Sequence, residues 1–118
     1  MLDLKQVLEN FKLWGINPKI GVQDEDENNI IESVDNVIDL NREMNALYQS
    51  TNLYMNFDDC FFIGNNGSGD LYFLRVIKGK IDMIDVYIWN HESDSRNWFA
   101  NNPKDLSARH KESKESGE

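Results

Sequence analysis

The densest set of acid–base side chains in the sequence is His91, Glu92 and Asp94, in the segment HESD. An imidazole beside carboxylates could transfer a proton or bind a metal ion. The spacing matches neither the HExxH pattern of zinc enzymes nor a two-histidine, one-carboxylate set, and the chain has only 2 histidines. We therefore expect a loop histidine bonded to its neighbours. A hydrolase or small-molecule site formed by Asp70, His91 and Glu92 stays open as the less favoured alternative.

Three other patterns could carry chemistry, and each has a simpler structural explanation. Cys60 lies in the apolar run FDDCFFI and is the single cysteine, which favours a buried thiol and excludes an intrachain disulfide. The glycine-rich segment GNNGSGD ends in Asp70 rather than the lysine of a phosphate-binding loop, so it predicts a hairpin turn. Asp58 and Asp59 are adjacent, so on a strand they point to opposite faces. The sequence thus predicts no catalytic site, metal site or cofactor.

The charge is concentrated in one part of the chain. The net charge is −9, from 12 basic and 21 acidic side chains. Between Ile20 and Asp59 only Arg42 is basic, and 10 residues are acidic; these are Asp24, Glu25, Asp26, Glu27, Glu32, Asp35, Asp39, Glu43, Asp58 and Asp59. This argues against direct binding of nucleic acid, which needs clustered Lys and Arg. A surface of this kind could attract a cationic partner, or it could serve only as a solvated face.

The hydrophobic pattern predicts helices followed by strands. Apolar residues recur at helical spacing over Met1–Trp14 and Val34–Tyr48, and β-favouring runs occur later. The predicted strands are Asn29–Glu32, Phe57–Ile63, Leu71–Ile77 and Ile81–Trp89, the last with both faces apolar, as in a central strand. Trp98–Leu106 predicts a helical turn or an edge contact. This order predicts an α+β fold in which N-terminal helices pack on a mixed, largely antiparallel β-sheet, as a single domain.

The two ends of the chain carry further expectations. Residues 107–118 contain no large apolar side chain, so we expect a disordered, charged C-terminal tail and a domain spanning residues 1–106. The N-terminus has early acids and no long apolar region, which is unlike a secretory signal. No apolar run approaches the ~18 residues of a membrane span. These features favour a cytoplasmic protein without a membrane partner.

The segment FIGNNGSGDLYFLRVIKGKIDMIDVYIWNHESDSRNWFANNPKDL resembles the C-terminal half of the SUKH superfamily, the Smi/Knr-like proteins. The shared pattern is an aromatic strand, a turn ending in Gly-Asp, a strand of the type LYFL, and an apolar strand closing on Trp before an acidic loop. It falls on Phe61, Phe62, Gly69, Asp70, Tyr72, Phe73, Val86, Trp89, His91 and Glu92. Residues 2–16 and 34–44 are similar to the family's helices, so the resemblance spans about residues 2–106.

The resemblance implies an α+β domain without an accepted catalytic site. In bacteria such proteins mostly act as immunity proteins, which bind a cognate toxin domain, often a nuclease, and block it. In fungi, relatives serve as scaffolds in cell-wall regulation. A scaffold or adaptor without a toxin partner is therefore the alternative.

Together, the charge and the resemblance lead to the hypothesis of a non-enzymatic immunity protein with a basic toxin as its partner. Its acids would attract the toxin electrostatically, and aromatic anchors would contact it. The expected steering residues are Asp24, Glu25, Asp26, Glu27, Glu32, Asp35, Asp58 and Asp59. The expected contact residues are Trp89, His91, Glu92 and Trp98.

Overall fold

Within residues 3–50 and 57–115, which the computed structural model describes, the chain forms three α-helices and six β-strands. In chain order these are α1 Leu4–Trp14, β1 Val22–Gln23, β2 Asn29–Ile31, α2 Val34–Ser50, β3 Cys60–Asn65, β4 Leu71–Ile77, β5 Lys80–Trp89, β6 Arg96–Ala100 and α3 Pro103–Glu115. The predicted α+β fold is confirmed. The part of the predicted first helix at residues 1–2, and residues 51–56 after α2, lie outside the described residues.

Strands β3 to β6 form an antiparallel meander in the order β3-β4-β5-β6, and β1 and β2 pair as a separate antiparallel ribbon. β5 lies between β4 and β6, as its apolar faces predicted. Lys78 and Gly79 turn the chain between β4 and β5 with φ of 53° and 77°. Two successive positive φ angles match the right-handed twist of a hairpin.

Helix α1 begins and ends where its sequence allows. The Asp3 carboxylate accepts a hydrogen bond from the backbone amide of Gln6, and the Gln6 side-chain oxygen accepts one from the backbone amide of Asp3. These bonds satisfy two amides at the start of the helix that have no partner within it. Gly15 ends the helix with φ 71°, a left-handed conformation that glycine adopts without steric cost. The buried face of α1 carries Val7, Phe11 and Trp14.

The sheet has an apolar core on each face. On one face, the α1 residues pack with Ile63, Tyr72, Leu74, Val86 and Leu106 in one cluster. On the other face, Met44 of α2 packs with Phe57, Phe62, Phe73 and Trp89. The second cluster is held by edge-on aromatic contacts, such as Phe57 to Trp89 at 5.4 Å between ring centroids.

The outer edge of β3 is closed by side-chain and backbone groups of α2 and β2. The Asn41 side chain accepts the Phe62 amide at 2.9 Å and donates to the Phe62 carbonyl at 2.9 Å, as a neighbouring strand would. The Glu32 amide donates to the Ile63 carbonyl at 2.7 Å. A Cβ on Gly64 would lie 1.9 Å from the Ile30 carbonyl oxygen, so β2 and β3 approach closely because this residue is glycine.

Residues 107–115 complete helix α3, so the prediction of a disordered tail from Ser107 was wrong for them. Pro103, Leu106 and His110 are buried and recur at helical spacing, which gives α3 one face toward the sheet. The sequence of residues 107–118 did not indicate this buried face, because its buried side chain is a histidine rather than a large apolar residue. Residues 116–118 lie outside the described residues.

Candidate functional site

The outer face of α2 carries a stripe of acids. Asp35, Asp39 and Glu43 follow one another at intervals of four residues, and all three are exposed. That interval places them in a row on the helix surface. Arg42 lies 3.8 Å from Asp39, and both side chains are about two-thirds exposed (70% and 67%), so water screens the pair. The stripe is therefore an anionic surface with a single nearby cation among the described residues of α2.

Of the stripe, only Asp35 was among the predicted steering acids, and three further predicted acids lie elsewhere around α2. Asp58 and Asp59 are exposed in the turn before β3, and Asp58 lines a hollow with Asn41 and Asn45, on the opposite side of α2 from the stripe. Glu32 is only partly exposed just before α2, and burial raises the pKa of its carboxyl group against opposing hydrogen bonds. The acids thus surround α2 and do not form one patch.

Asp24 differs from the acids that follow it. Its side chain is only 7% exposed, and one oxygen accepts the backbone amides of Asp26 and Asn28 at 2.9 and 2.8 Å. Glu25, Asp26 and Glu27 are exposed. Asp24 was predicted as a steering group; its carboxylate is little exposed and organises the loop of residues 24–28, and its part in steering stays a prediction.

The other oxygen of Asp24 belongs to a buried chain of hydrogen bonds that the sequence did not reveal. His110 Nε2 lies 2.8 Å from Asp24 Oδ2, and His110 Nδ1 lies 2.7 Å from the hydroxyl of Tyr72. His110 is 3% exposed and Tyr72 is 1% exposed. Lys114 Nζ donates to Asp24 Oδ2 at 3.3 Å and also to Asp26. We name this set of five side chains, Asp24, Asp26, Tyr72, His110 and Lys114, the α3 network.

Burial and hydrogen bonding act against each other in the α3 network. Burial alone would raise the pKa of Asp24, but the bonds from Asn28, His110 and Lys114 outweigh it and hold that pKa well below its usual range. Burial raises the pKa of Tyr72, which stays a neutral hydroxyl. A cleft of about 510 Å³ adjoins the network, between the loop and α3, with Glu25, Ile30 and Ser107 on its walls.

The two predicted tryptophan contacts differ in accessibility. Trp89 is 4% exposed, its indole donates to Asp94 at 2.6 Å, and its ring lies in the second core. Trp89 was predicted as a contact residue, but both sheet faces are covered at its position, and its role in binding stays a prediction. Trp98 on β6 is 47% exposed, and its indole donates to Asp85 at 3.0 Å. The Arg109 guanidinium lies 5.6 Å from the centre of the Trp98 ring, which orients the ring further.

His91 and Glu92 are exposed at one corner of the sheet. The Asp70 carboxylate lies 2.7 Å from His91 Nδ1 and accepts the His91 amide at 3.2 Å. Glu92 is 3.8 Å from His91 Nε2 with its side chain 82% exposed. The three groups of the small-molecule alternative therefore come together. The Asp70 side chain is 18% exposed, but those of His91 and Glu92 are 42% and 82% exposed and lack the desolvation that activates catalytic side chains. This corner is better suited to contact a protein surface.

The described part of the chain has a single thiol, that of Cys60. Cys60 is partly buried, and burial raises the pKa of its thiol to about 11, so the thiol stays protonated. Among residues 3–50 and 57–115, His, Cys, Asp and Glu form no group of three that could hold a metal ion. None of the helices in these residues is both long and apolar enough to span a membrane.

Comparison with known proteins gives one match. The family model described as SMI1-KNR4 cell-wall, SUKH_6, matches residues 2–106 of the chain. No curated protein and no solved structure matches it. The residues quoted above for the resemblance lie within the matched range.

Proposed function

Because the chain belongs to the SMI1-KNR4 cell-wall family, we propose that it is a non-enzymatic protein-binding domain that acts as an immunity protein. It binds and neutralises a cognate toxin of a bacterial polymorphic toxin system. The toxin is a basic domain, and a nuclease is the preferred candidate, because an active site that binds phosphate is positively charged.

The observation that carries this proposal is the exposed stripe of Asp35, Asp39 and Glu43 on α2. These charges lie on a regular helix, so their spacing is fixed without ordering on binding. The chain's net charge of −9 extends the same negative field beyond the stripe. Such a surface accelerates encounter with a cationic cleft and competes with the substrate of a nuclease.

Aromatic and hydrogen-bonding groups provide a second proposed contact region, and its Trp98 lies on β6, at the sheet edge opposite the one that α2 covers. Trp98 is half exposed, and its indole is already held by Asp85, so its ring loses little conformational freedom on contact. His91 is held by Asp70 in the same way. Held side chains of this kind contribute affinity, whereas the exposed acids mainly contribute association rate and salt dependence.

The test begins with co-expression of the chain and the product of the gene that neighbours its own. Rescue of growth supports immunity, and absence of rescue together with unimpeded toxin activity in vitro refutes it. Binding of a host protein in place of the toxin would indicate the scaffold or adaptor role instead. The association rate should fall at least tenfold between 50 and 500 mM salt if steering operates, since the screening length shortens about threefold over that range, from roughly 14 Å to about 4 Å.

A matched pair of substitutions isolates the stripe. Glu43→Gln and Glu9→Gln remove the same charge from exposed mid-helix positions of α2 and α1. We expect Glu43→Gln to slow association about two- to threefold and Glu9→Gln to leave it nearly unchanged. Equal effects of the two substitutions would show that only total charge matters and that α2 is not the contact surface.

A further inference from the structure

The C-terminal half of α3 is attached to the domain mainly by polar groups. Beyond Leu106, the buried side chain of α3 in the described residues is that of His110. Its ring is hydrogen-bonded on both sides, to Tyr72 at 2.7 Å and to Asp24 at 2.8 Å. One turn later, Lys114 bonds to Asp24 and Asp26. Docking of this half-helix therefore depends on the α3 network more than on apolar burial.

The same carboxylate that receives α3 also organises the acidic loop, residues 24–28. Asp24 Oδ1 accepts the amides of Asp26 and Asn28, while Oδ2 accepts His110 and Lys114. The loop also holds Glu27 at φ 65°, a left-handed backbone conformation that is strained for a non-glycine residue. A conformation of this kind persists only when surrounding contacts impose it.

We infer that His110 and Lys114 are positioning residues for the acidic loop: through Asp24 and Asp26 they hold the conformation in which Glu25 and Glu27 face the partner. The inference rests on the proposed function for the role of Glu25 and Glu27, but the bracing of the loop is a property of the free protein. The loop and the end of α3 therefore form one unit, although 86 residues separate Asp24 from His110.

The exchange of two amides with water measures this bracing directly. The amides of Asp26 and Asn28 donate to Asp24, so their exchange rates, followed by NMR on the full chain, report on the position of that carboxylate. Lys114→Gln should raise both rates at least threefold. Lys114→Arg keeps the charge and the donor, so it should return both rates to within twofold of the wild type.

Lys104→Gln is the matched control. It removes the same charge from the first turn of the same helix, about 15 Å from Lys114 at 1.5 Å per residue, beside Gly15 of α1. This control should leave the amides of Asp26 and Asn28 unchanged. Unchanged rates in Lys114→Gln, or equal increases in Lys104→Gln, would overturn the inference. Faster exchange confined to the last turn of α3 would overturn it as well.

A second variant tests the buried part of the network. His110→Gln retains an amide near Asp24 but cannot bridge Asp24 to Tyr72, so loop exchange should rise more than in Lys114→Gln. If this variant does not fold, the Lys114 variants still decide the question. Toxin binding then separates the two proposals: faster loop exchange with unchanged toxin affinity supports the brace and refutes a role for the loop in binding.

Discussion

Replacing Asn41 with alanine should open the outer edge of β3. The Asn41 side chain pairs with both the amide and the carbonyl of Phe62, and both residues are buried, at 3% and 1% exposed. Each buried backbone group left without a partner costs about 1–3 kcal/mol. Alanine regains roughly 0.6 kcal/mol through its higher helix propensity. The expected loss is therefore about 2–5 kcal/mol of the free energy of unfolding.

That loss is a large part of the roughly 5–15 kcal/mol that stabilises an ordinary domain. For a chain of this length, each kcal/mol lowers the melting temperature by about 4 °C, so a fall of roughly 10–20 °C is expected. Urea unfolding followed by circular dichroism, together with a thermal scan, measures both quantities.

Asn45→Ala is the control, because Asn45 lies one turn further along the same helix, is only partly buried, and gains the same propensity. The difference between the two variants isolates the bonds to the edge of β3. A difference below about 0.5 kcal/mol would refute the reasoning, since it would mean that water or another group replaces the Asn41 amide without cost.

Three further predictions concern single residues. The pKa of Asp24 is lowered in the folded protein, so its ionised form stabilises the fold at neutral pH, and this contribution is lost as pH falls below about 4. The difference in unfolding free energy between wild type and Asp24→Asn should therefore be constant from pH 7 to 5 and shrink in acid. A difference that grows in acid would contradict this. Gly64→Ala places a Cβ 1.9 Å from the Ile30 carbonyl oxygen and should abolish the native circular dichroism spectrum. Gly79→Ala has open space around its Cβ and φ 77°, so it should lower the free energy of unfolding by only about 1 kcal/mol. Similar losses in the two variants would refute the close approach of β2 and β3. Burial raises the pKa of the Cys60 thiol to about 11. At pH 8 a thiol reagent should therefore react with Cys60 about a hundredfold more slowly than with free cysteine, and denaturant should remove this difference. Rapid reaction without denaturant would contradict this.

Local patterns were sufficient for the elements whose residues contact near neighbours. Strand β4 matched its predicted bounds, Leu71–Ile77, because an apolar run lies between two glycine-containing turns. Helix α1 followed from its apolar spacing and its terminal glycine. Strand β6 was only partly anticipated, because Arg96 and Asn97 are polar and resemble the preceding loop, and they are held in the sheet by pairing with β5.

The candidate site residues followed less directly from the sequence, because the exposure of their side chains depends on residues far away in the chain. The acids could be counted from the sequence, but the separation between exposed and buried acids depends on distant partners. Asp24 is buried because His110 and Lys114 return to it from the other end of the chain. Trp89 ends a strand that was correctly predicted to be central, but the pattern does not show whether the last residue of a strand is still covered. Only the assembled fold distinguishes these cases.

The bond between Asp24 and His110 also has a consequence for synthesis of the chain on the ribosome. Translation from Asp24 to His110 adds 86 residues and takes roughly 4–17 s at about 5–20 residues per second. Throughout that interval Asp24 lacks its hydrogen-bond partner, because His110 has not yet been added to the chain. The meander can collapse earlier, because its hairpins join strands that are adjacent in the chain. The negatively charged loop should therefore be among the last parts of the domain to mature, and the emergence of α3 from the ribosome should be the step that completes it.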